Sequence, residues 1–583
     1  MASIPRPEHP RPDFERKAWQ NLNGNWQFAV DSGKSGLGKG WSSGTDLPLT
    51  INVPFCPESK LGGLAMTDFL EAVWYRRKFT VDQALRGRRL LLHFGAVDYD
   101  ARVWVNGKQV VRHRGGFTPF EADITDAVDM AGENELVVYA EDDERTHVQP
   151  LGKQSSQLKS YGCCYTRTTG IWQTVWIEAV PDSHVTNLTV WPDAANGRAA
   201  VVVDVAKAHA GLGIEVAAIV DGKAVASAKL AQAGPANTLV LDVADPVLWE
   251  VGKPFLYDLQ VKLVEDGKVV DEVASYFGLR DVRIEGDRIL INGKSVFQRL
   301  ILDQGFWPEG IYTAPSDDEL RADIERSIAC GFNGARLHQK VFEPRTLYWA
   351  DKLGYLIWGE FPDWGCDVRP HAQARENHRR EWTEAVLRDR SHPSIVAWTP
   401  LNEAHSAHGR YEPTFFVEIY DLTKRLDPSR PICDTSGYTH VKTDIWDLHD
   451  YDQNPESFAA RYEQFAKDPK TQTLARNDAD HEPPYAGQPV VVSEYGGTWW
   501  NPAQVGDAAW GYGNRPKDEK EFLDRFKGLA DVLLDNPHIA GLCYTQLTDV
   551  EQEVNGLYFY DRRPKFPPEL LKKTLDRKAA IED

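Results

Sequence analysis

From Arg280 onward the chain alternates short apolar runs with segments of helical period, and that alternation admits few folds. The runs fall at 295–302, 334–337, 355–358, 395–398, 432–434, 445–448, 490–493 and 539–544. Helical patterns at 317–330, 343–353, 376–390, 414–426, 455–467, 517–534 and 568–577 separate most of them, and Ser316 stands where a side chain caps the first. Short runs without polar alternation read as parallel strands buried on both faces. Eight strands in about 300 residues with helices between them predict a (β/α)8 TIM barrel over 280–583.

The remainder lacks this grammar. Residues 1–183 carry short strand patterns separated by turn signals such as Asn106-Gly107 and Gly115-Gly116, which predicts an all-β jelly-roll sandwich. Residues 184–279 repeat the rhythm, with hairpin signals at Asp221-Gly222 and Asp266-Gly267, and fit an immunoglobulin-like β-sandwich. A chain of 583 residues exceeds what one core holds, so three domains are in keeping with its length.

Charge and cysteine usage narrow the partners. A net charge of −20 argues against nucleic acid and anionic membranes, and no stretch is apolar enough to span a bilayer. Cysteines stand at 56, 163, 164, 330, 366, 433 and 543, an odd number without metal-ligand spacing, which points to a reducing compartment. The first residues show no apolar signal region, so a cytoplasmic location is expected, or a periplasmic or secreted one if a leader was removed. Nineteen tryptophans suit sandwich cores and sugar platforms alike.

Two of the predicted barrel strands end in carboxylates. The run 395–398 leads to Asn402-Glu403, and 490–493 leads directly to Glu494. In a TIM barrel both would lie at the C-terminal mouth, where such barrels keep their chemistry. A pair of this kind suits hydrolysis of a sugar acetal, one group protonating the leaving oxygen and the other attacking or activating water.

The ordered set of motifs resembles glycoside hydrolase family 2 over essentially the whole chain. It comprises WQNLNGNWQF (19–28), VPFCPES (53–59), AVWYRRKF (72–79), LHFGAVDYDARVWVNGKQV (92–110), GGFTPFEADIT (115–125), YTRTTGIWQTVWIE (165–178) and FGLR (277–280), then HPSIVAWTPLNE (392–403) and VVVSEYGG (490–497) in the barrel. The resemblance implies that Glu403 is the acid/base and Glu494 the nucleophile of a retaining double displacement, with a raised pKa on Glu403 and an ionised Glu494. It further implies that Asn402 binds the sugar 2-hydroxyl, that Arg336 lies near the nucleophile, and that Tyr451 hydrogen-bonds it. His449, His338, Asp303, Trp364 and Trp499 complete the expected substrate-binding set, while Glu360, Trp500 and a loop near Asp142 and Asp143 are weaker candidates. Departures from the family pattern cluster around the glycone: Arg336-Leu-His338-Gln339-Lys340 after the second strand, Asp303-Gln-Gly305 after the first, and no lysine after Asn555 where β-glucuronidases keep one. Lys340 could supply such a cation, although a surface position is expected for it.

The expectation is an exo-acting glycosidase removing a terminal non-reducing sugar, a β-galactoside first, with β-glucuronide, β-mannoside or a galactofuranoside or arabinofuranoside as alternatives. A non-catalytic carbohydrate-binding protein is the competing class, and retention of both acids argues against it. The partner is an oligosaccharide or glycoside, no cofactor or metal is called for (His405 and His408 lack a third ligand), and the resemblance allows a homo-oligomer.

Overall fold

The computed structural model describes residues 4–405, 412–471, 482–506 and 509–582. Two antiparallel sheets form the N-terminal sandwich. One has four strands, including Arg89–Phe94 and Val175–Val180; the other has six, centred on Ala72–Thr80 and Glu133–Glu141. Their inner faces enclose a core that includes Trp26, Tyr75, Phe94 and Ile177. The next sandwich packs three strands against four, and Arg198–Ala206 alternates buried and half-exposed residues as a one-sided strand must. Its strands Lys223–Leu230 and Lys268–Phe277 carry both polar and apolar residues at their exposed positions. Both hairpin turns form as the Asp-Gly pairs predict, with φ of +49° and +75° at Asp221-Gly222 and +49° and +74° at Asp266-Gly267.

The barrel contains β1 (Gln298–Asp303), β2 (Gly334–Leu337), β3 (Leu356–Glu360), β4 (Ile395–Thr399), β5 (Trp446–Asp450), β6 (Val490–Gly496) and β7 (Ile539–Thr545). They are parallel and run in the order β4-β3-β2-β1-β7-β6-β5, seven strands among the described residues. The expected strand at 432–434 is not one. Its place between β4 and β5 is held by single bridges, Trp398 to Ile432 and Asn402 to Ser436. The reason is local: the Asp434 carboxylate accepts the backbone N–H groups of Thr435, Val441 and Lys442, which bends the chain out of a ladder. The first predicted run is also divided, since Lys294–Ser295 belongs to a small antiparallel sheet and only the later part enters the barrel.

Helices cover the outside much as their patterns predict. Ser316 Oγ accepts the Glu319 N–H to cap Asp317–Ala329, and Asp518 caps Glu519–Leu534 likewise. No helix among the described residues is long and apolar enough to cross a membrane. The polar insertion before β6 lies partly outside the described residues, as does His408.

The N-terminal sandwich is joined to the barrel rather than merely tethered to it. Phe117, Tyr165 and Trp172 belong to the same buried cluster as the barrel strands. The loop at 147–154 crosses the barrel mouth: Leu151 and Gly152 donate their N–H groups to Trp364 O at 2.7 and 3.2 Å, and Val148 bridges to Cys366. Gly152 is required there, because a Cβ would sit 2.1 Å from the Gln339 carbonyl and φ is +61°.

Candidate active site

Glu494 lies within β6 and not past its end. The register shows why it faces the mouth. Leu448 of β5 pairs with Val492, but His449 pairs with Glu494, so Ser493 is an extra residue. The same slip separates β6 from β7. A bulge of this kind twists the strand and re-aims the next side chain.

Glu403 reaches the same space by a different device. Pro400 ends β4, and Glu403 takes a left-handed conformation with φ of +49°. The turn is held at three successive N–H groups: Asn402 to Asp363 Oδ1 at 3.0 Å, Glu403 to Ser436 O at 2.8 Å and Ala404 to Thr435 Oγ1 at 3.2 Å. The irregular 431–436 segment thus positions Glu403 where a regular strand would have used its groups in a ladder.

The two carboxylates meet. One oxygen of each, together with a ring nitrogen of His449, lies within 4.8 Å of the others. His449 Nδ1 is 3.0 Å from Glu403 Oε1, and its Nε2 is 3.5 Å from Glu494 Oε1. Burial alone would lower the imidazole pKa, but Glu494 and then Glu403 outweigh it and raise the pKa above the ordinary histidine value.

Arg336 is fully buried and organises the other side. Its guanidinium donates to Glu494 Oε1 at 2.8 Å, to Asn402 Oδ1 at 2.6 Å and to Glu360 Oε2. The Tyr451 hydroxyl donates to Glu494 Oε2, so each oxygen of this carboxylate has its own donor. Burial would push Glu494 up, yet the charges of His449 and Arg336 hold it well below the usual carboxylate range. Asn402 Oδ1 accepts from Arg336, and its buried Nδ2 has no partner among the described residues, which makes it a donor available to a ligand.

The other expected residues divide. His338 is brought in: it is buried, its Nδ1 lies 3.0 Å from Arg336 and 2.9 Å from Glu360, and burial keeps it neutral. Trp364 adjoins the pair, with Nε1 donating to Asn402 O at 3.2 Å. Trp499 stands one step out. It touches Tyr512, whose ring stacks on Tyr451 with centroids 3.4 Å apart. Trp500 packs against Phe522 and Phe566 in the outer layer. Asp303 is turned away: it accepts the Gly305 N–H at 2.9 Å and lines a small cavity with Asp323 and Lys340. Glu360 is the buried partner of Arg336 behind the site. The Asp142 carboxylate accepts from Gln149 Nε2 at 2.6 Å.

Lys340 corrects the surface expectation. It is 3% exposed, donates to Gly305 O and Tyr312 O at 2.6 and 2.9 Å, and burial lowers its pKa to about 7. Three groups carried no warning in the linear pattern: Lys153, whose charge acts on both Glu403 and Glu494; Glu553, which accepts from Tyr165; and Thr545, 3.1 Å from the Tyr451 hydroxyl. A cavity of about 610 Å³ is lined by Tyr161, Trp510 and Gln552, and neither catalytic candidate lines it.

An acid and a carboxylate this close leave no room for the intervening water of an inverting hydrolase, whose carboxyl groups stand about 6.5–9.5 Å apart. The separation suits direct attack by one carboxylate at a carbon whose leaving group the other protonates.

Comparison with known proteins agrees with this chemistry. The sugar-binding-domain model of glycosyl hydrolases family 2 matches residues 19–146, a second family 2 model matches 183–280, and the TIM-barrel-domain model matches 282–578. A β-glucuronidase of Paenibacillus borealis is 25% identical over 95% of this chain and 96% of its own. A β-galactosidase of Thermoanaerobacter pseudethanolicus is 27% identical over 67% of this chain, which spans about half (52%) of that enzyme. Among solved structures, a β-glucuronidase from Ruminococcus gnavus superposes with a TM-score of 0.80 at 21% identity, covering 98% of this chain and all of the other.

Proposed function

The chain belongs to glycosyl hydrolase family 2 and is a retaining glycoside hydrolase, and from that premise we propose that it releases terminal β-glucuronic acid from the non-reducing end of a glycoside. The observation that carries the choice of sugar is the P. borealis relative, a β-glucuronidase aligned from end to end. The β-galactoside expected from sequence is the second reading. It draws support from the T. pseudethanolicus relative and from Leu557, which stands where a carboxylate-binding lysine was sought.

In this reading Glu494 attacks the anomeric carbon while Glu403 protonates the departing oxygen, giving a glycosyl ester on Glu494. Water then enters on the vacated side, Glu403 removes its proton, and the sugar leaves with its configuration retained. Arg336 and Tyr451 hold the two oxygens of Glu494 on a fixed line of attack. Asn402 offers Nδ2 to the sugar 2-hydroxyl, a contact that helps most when it strengthens at the transition state.

The test is a panel of 4-nitrophenyl β-glycosides with proton NMR of the first product. β-Glucuronide is expected to be the best substrate and the β-anomer to appear first. Glu494→Ala should lower kcat by about 10⁴-fold or more without unfolding the chain. A first-formed α-anomer would refute the mechanism, and a β-galactoside outrunning the glucuronide would hand the assignment to the second reading.

A further inference from the structure

A lysine from the N-terminal sandwich lies against Trp364 beside the candidate active site, and its charge acts on both Glu403 and Glu494. Lys153 follows Gly152 in the loop that crosses the mouth, and its backbone is clamped by the Tyr165 N–H, 2.7 Å from its carbonyl. The residue is only 5% exposed, yet among the described residues its ammonium makes neither a hydrogen bond nor an ion pair. It lies 3.8 Å from the centre of the Trp364 ring, the tryptophan that also binds the Asn402 carbonyl.

Other enclosed lysines behave differently. Lys340 is spent on two carbonyls, and Lys565 on Trp500 O and Asp549. A buried ammonium costs heavily in lost hydration unless acceptors replace the water. The Trp364 face supplies part of that replacement. The groups facing Lys153 are the thiols of Cys163 and Cys164 and the carboxylates of Glu403 and Glu553; together they outweigh burial and keep it protonated. Its three donors therefore remain for something that enters the pocket.

We propose that Lys153 pairs with the carboxylate of a terminal uronic acid, and that this loop, not the barrel, selects an anionic glycone over a neutral one. This inference rests on the reading of the enzyme as a uronide hydrolase. A sugar carboxylate would meet a preformed cation whose water is already gone, the setting in which a charge-assisted hydrogen bond discriminates most.

The experiment compares 4-nitrophenyl β-D-glucuronide with the β-D-glucoside, which differ only in a carboxylate or hydroxymethyl at C5. The full-length enzyme, Lys153→Met and Lys153→Arg are assayed, with thermal unfolding of each. Methionine keeps an apolar stem against Trp364 and removes the charge; arginine restores it. The ratio of kcat/KM for glucuronide over glucoside should fall on the order of 10²-fold in Lys153→Met, chiefly through KM, and recover in part in Lys153→Arg. If the native enzyme prefers the glucuronide but Lys153→Met leaves that ratio unchanged, Lys153 does not read the carboxylate and the inference fails alone. If the native enzyme prefers neutral glycosides, the uronide reading and this inference fail together. Because the readout is a ratio within one variant, partial loss of folded protein cancels from it.

Discussion

Single residues set the charge state on which the chemistry depends. Burial would favour a neutral Glu494, and the cations around it reverse that preference. Because its folded pKa lies below the unfolded value of about 4.3, its ionisation adds stability above that pH, which is lost as pH falls through the folded value. The acid limb of kcat/KM should accordingly lie below the ordinary glutamate range. Replacing Arg336 by Met removes one opposing cation and leaves burial in place, so that limb should move upward by about one to two pH units. A pH profile of the variant that stays where the native one lies would show that Arg336 does not hold Glu494 ionised. That Glu403, Glu494, Asn402 and Tyr451 gather at one mouth was legible because each sits beside a strand pattern in a motif. Lys153 was not, since it stands some 250 residues before Glu403 and no spacing records that a separate sandwich folds over the pocket. Asp303 misled for a related reason: its position after β1 is visible in sequence, but whether its side chain faces the mouth or the helix Asp317–Ala329 depends on where Asp323 and Lys340 pack.

At the level of elements, the working parts are irregularities. The extra residue Ser493 turns Glu494 toward His449, and the 431–436 segment gives its hydrogen bonds to the turn bearing Glu403. Sequence showed β6 plainly, as a run of valines, but not the slip inside it, because an alternating or continuous apolar pattern does not encode register with its neighbours. The false strand at 432–434 has the same lesson: Ile432 and Cys433 are buried like strand residues, while Asp434 spends itself on three backbone N–H groups. The mouth-crossing loop tests how much placement matters. In Gly152→Ala the new methyl would collide with the Gln339 carbonyl, and the left-handed backbone adds about 1 kcal/mol of strain. We expect the loop to lift, with kcat/KM down by about 10-fold or more and the unfolding midpoint nearly unchanged, since a small displacement near the reacting groups is costly. Native kinetics in this variant would mean the loop contributes nothing to the pocket.

Across the whole molecule, the sandwich and barrel are joined by buried polar contacts as well as by packing. Glu381 of the barrel layer accepts the Tyr99 hydroxyl at 2.7 Å and the Gly116 N–H at 3.1 Å. Burial raises its pKa to about 8. A folded value above the unfolded one favours the protonated form, so this contribution is complete below about pH 4.5 and is lost as pH rises through about 8. The native protein should therefore unfold at a lower temperature at pH 9 than at pH 6, and Glu381→Gln should show a smaller difference. Equal pH dependence in the two proteins would remove Glu381 from that account. The domain order was legible from the switch between strand-only and strand–helix grammar. The joint was not, because Tyr99 and Glu381 look like ordinary strand and helix residues until they meet. The loop from 147 to 154 has a wider consequence. On the assignments proposed above, bond breaking is housed in one folding unit and a wall of the sugar's seat is lent by another. On those assignments, transplanting this short stretch between homologous scaffolds would retune which sugar is accepted while both acids stay on the recipient's own barrel strands.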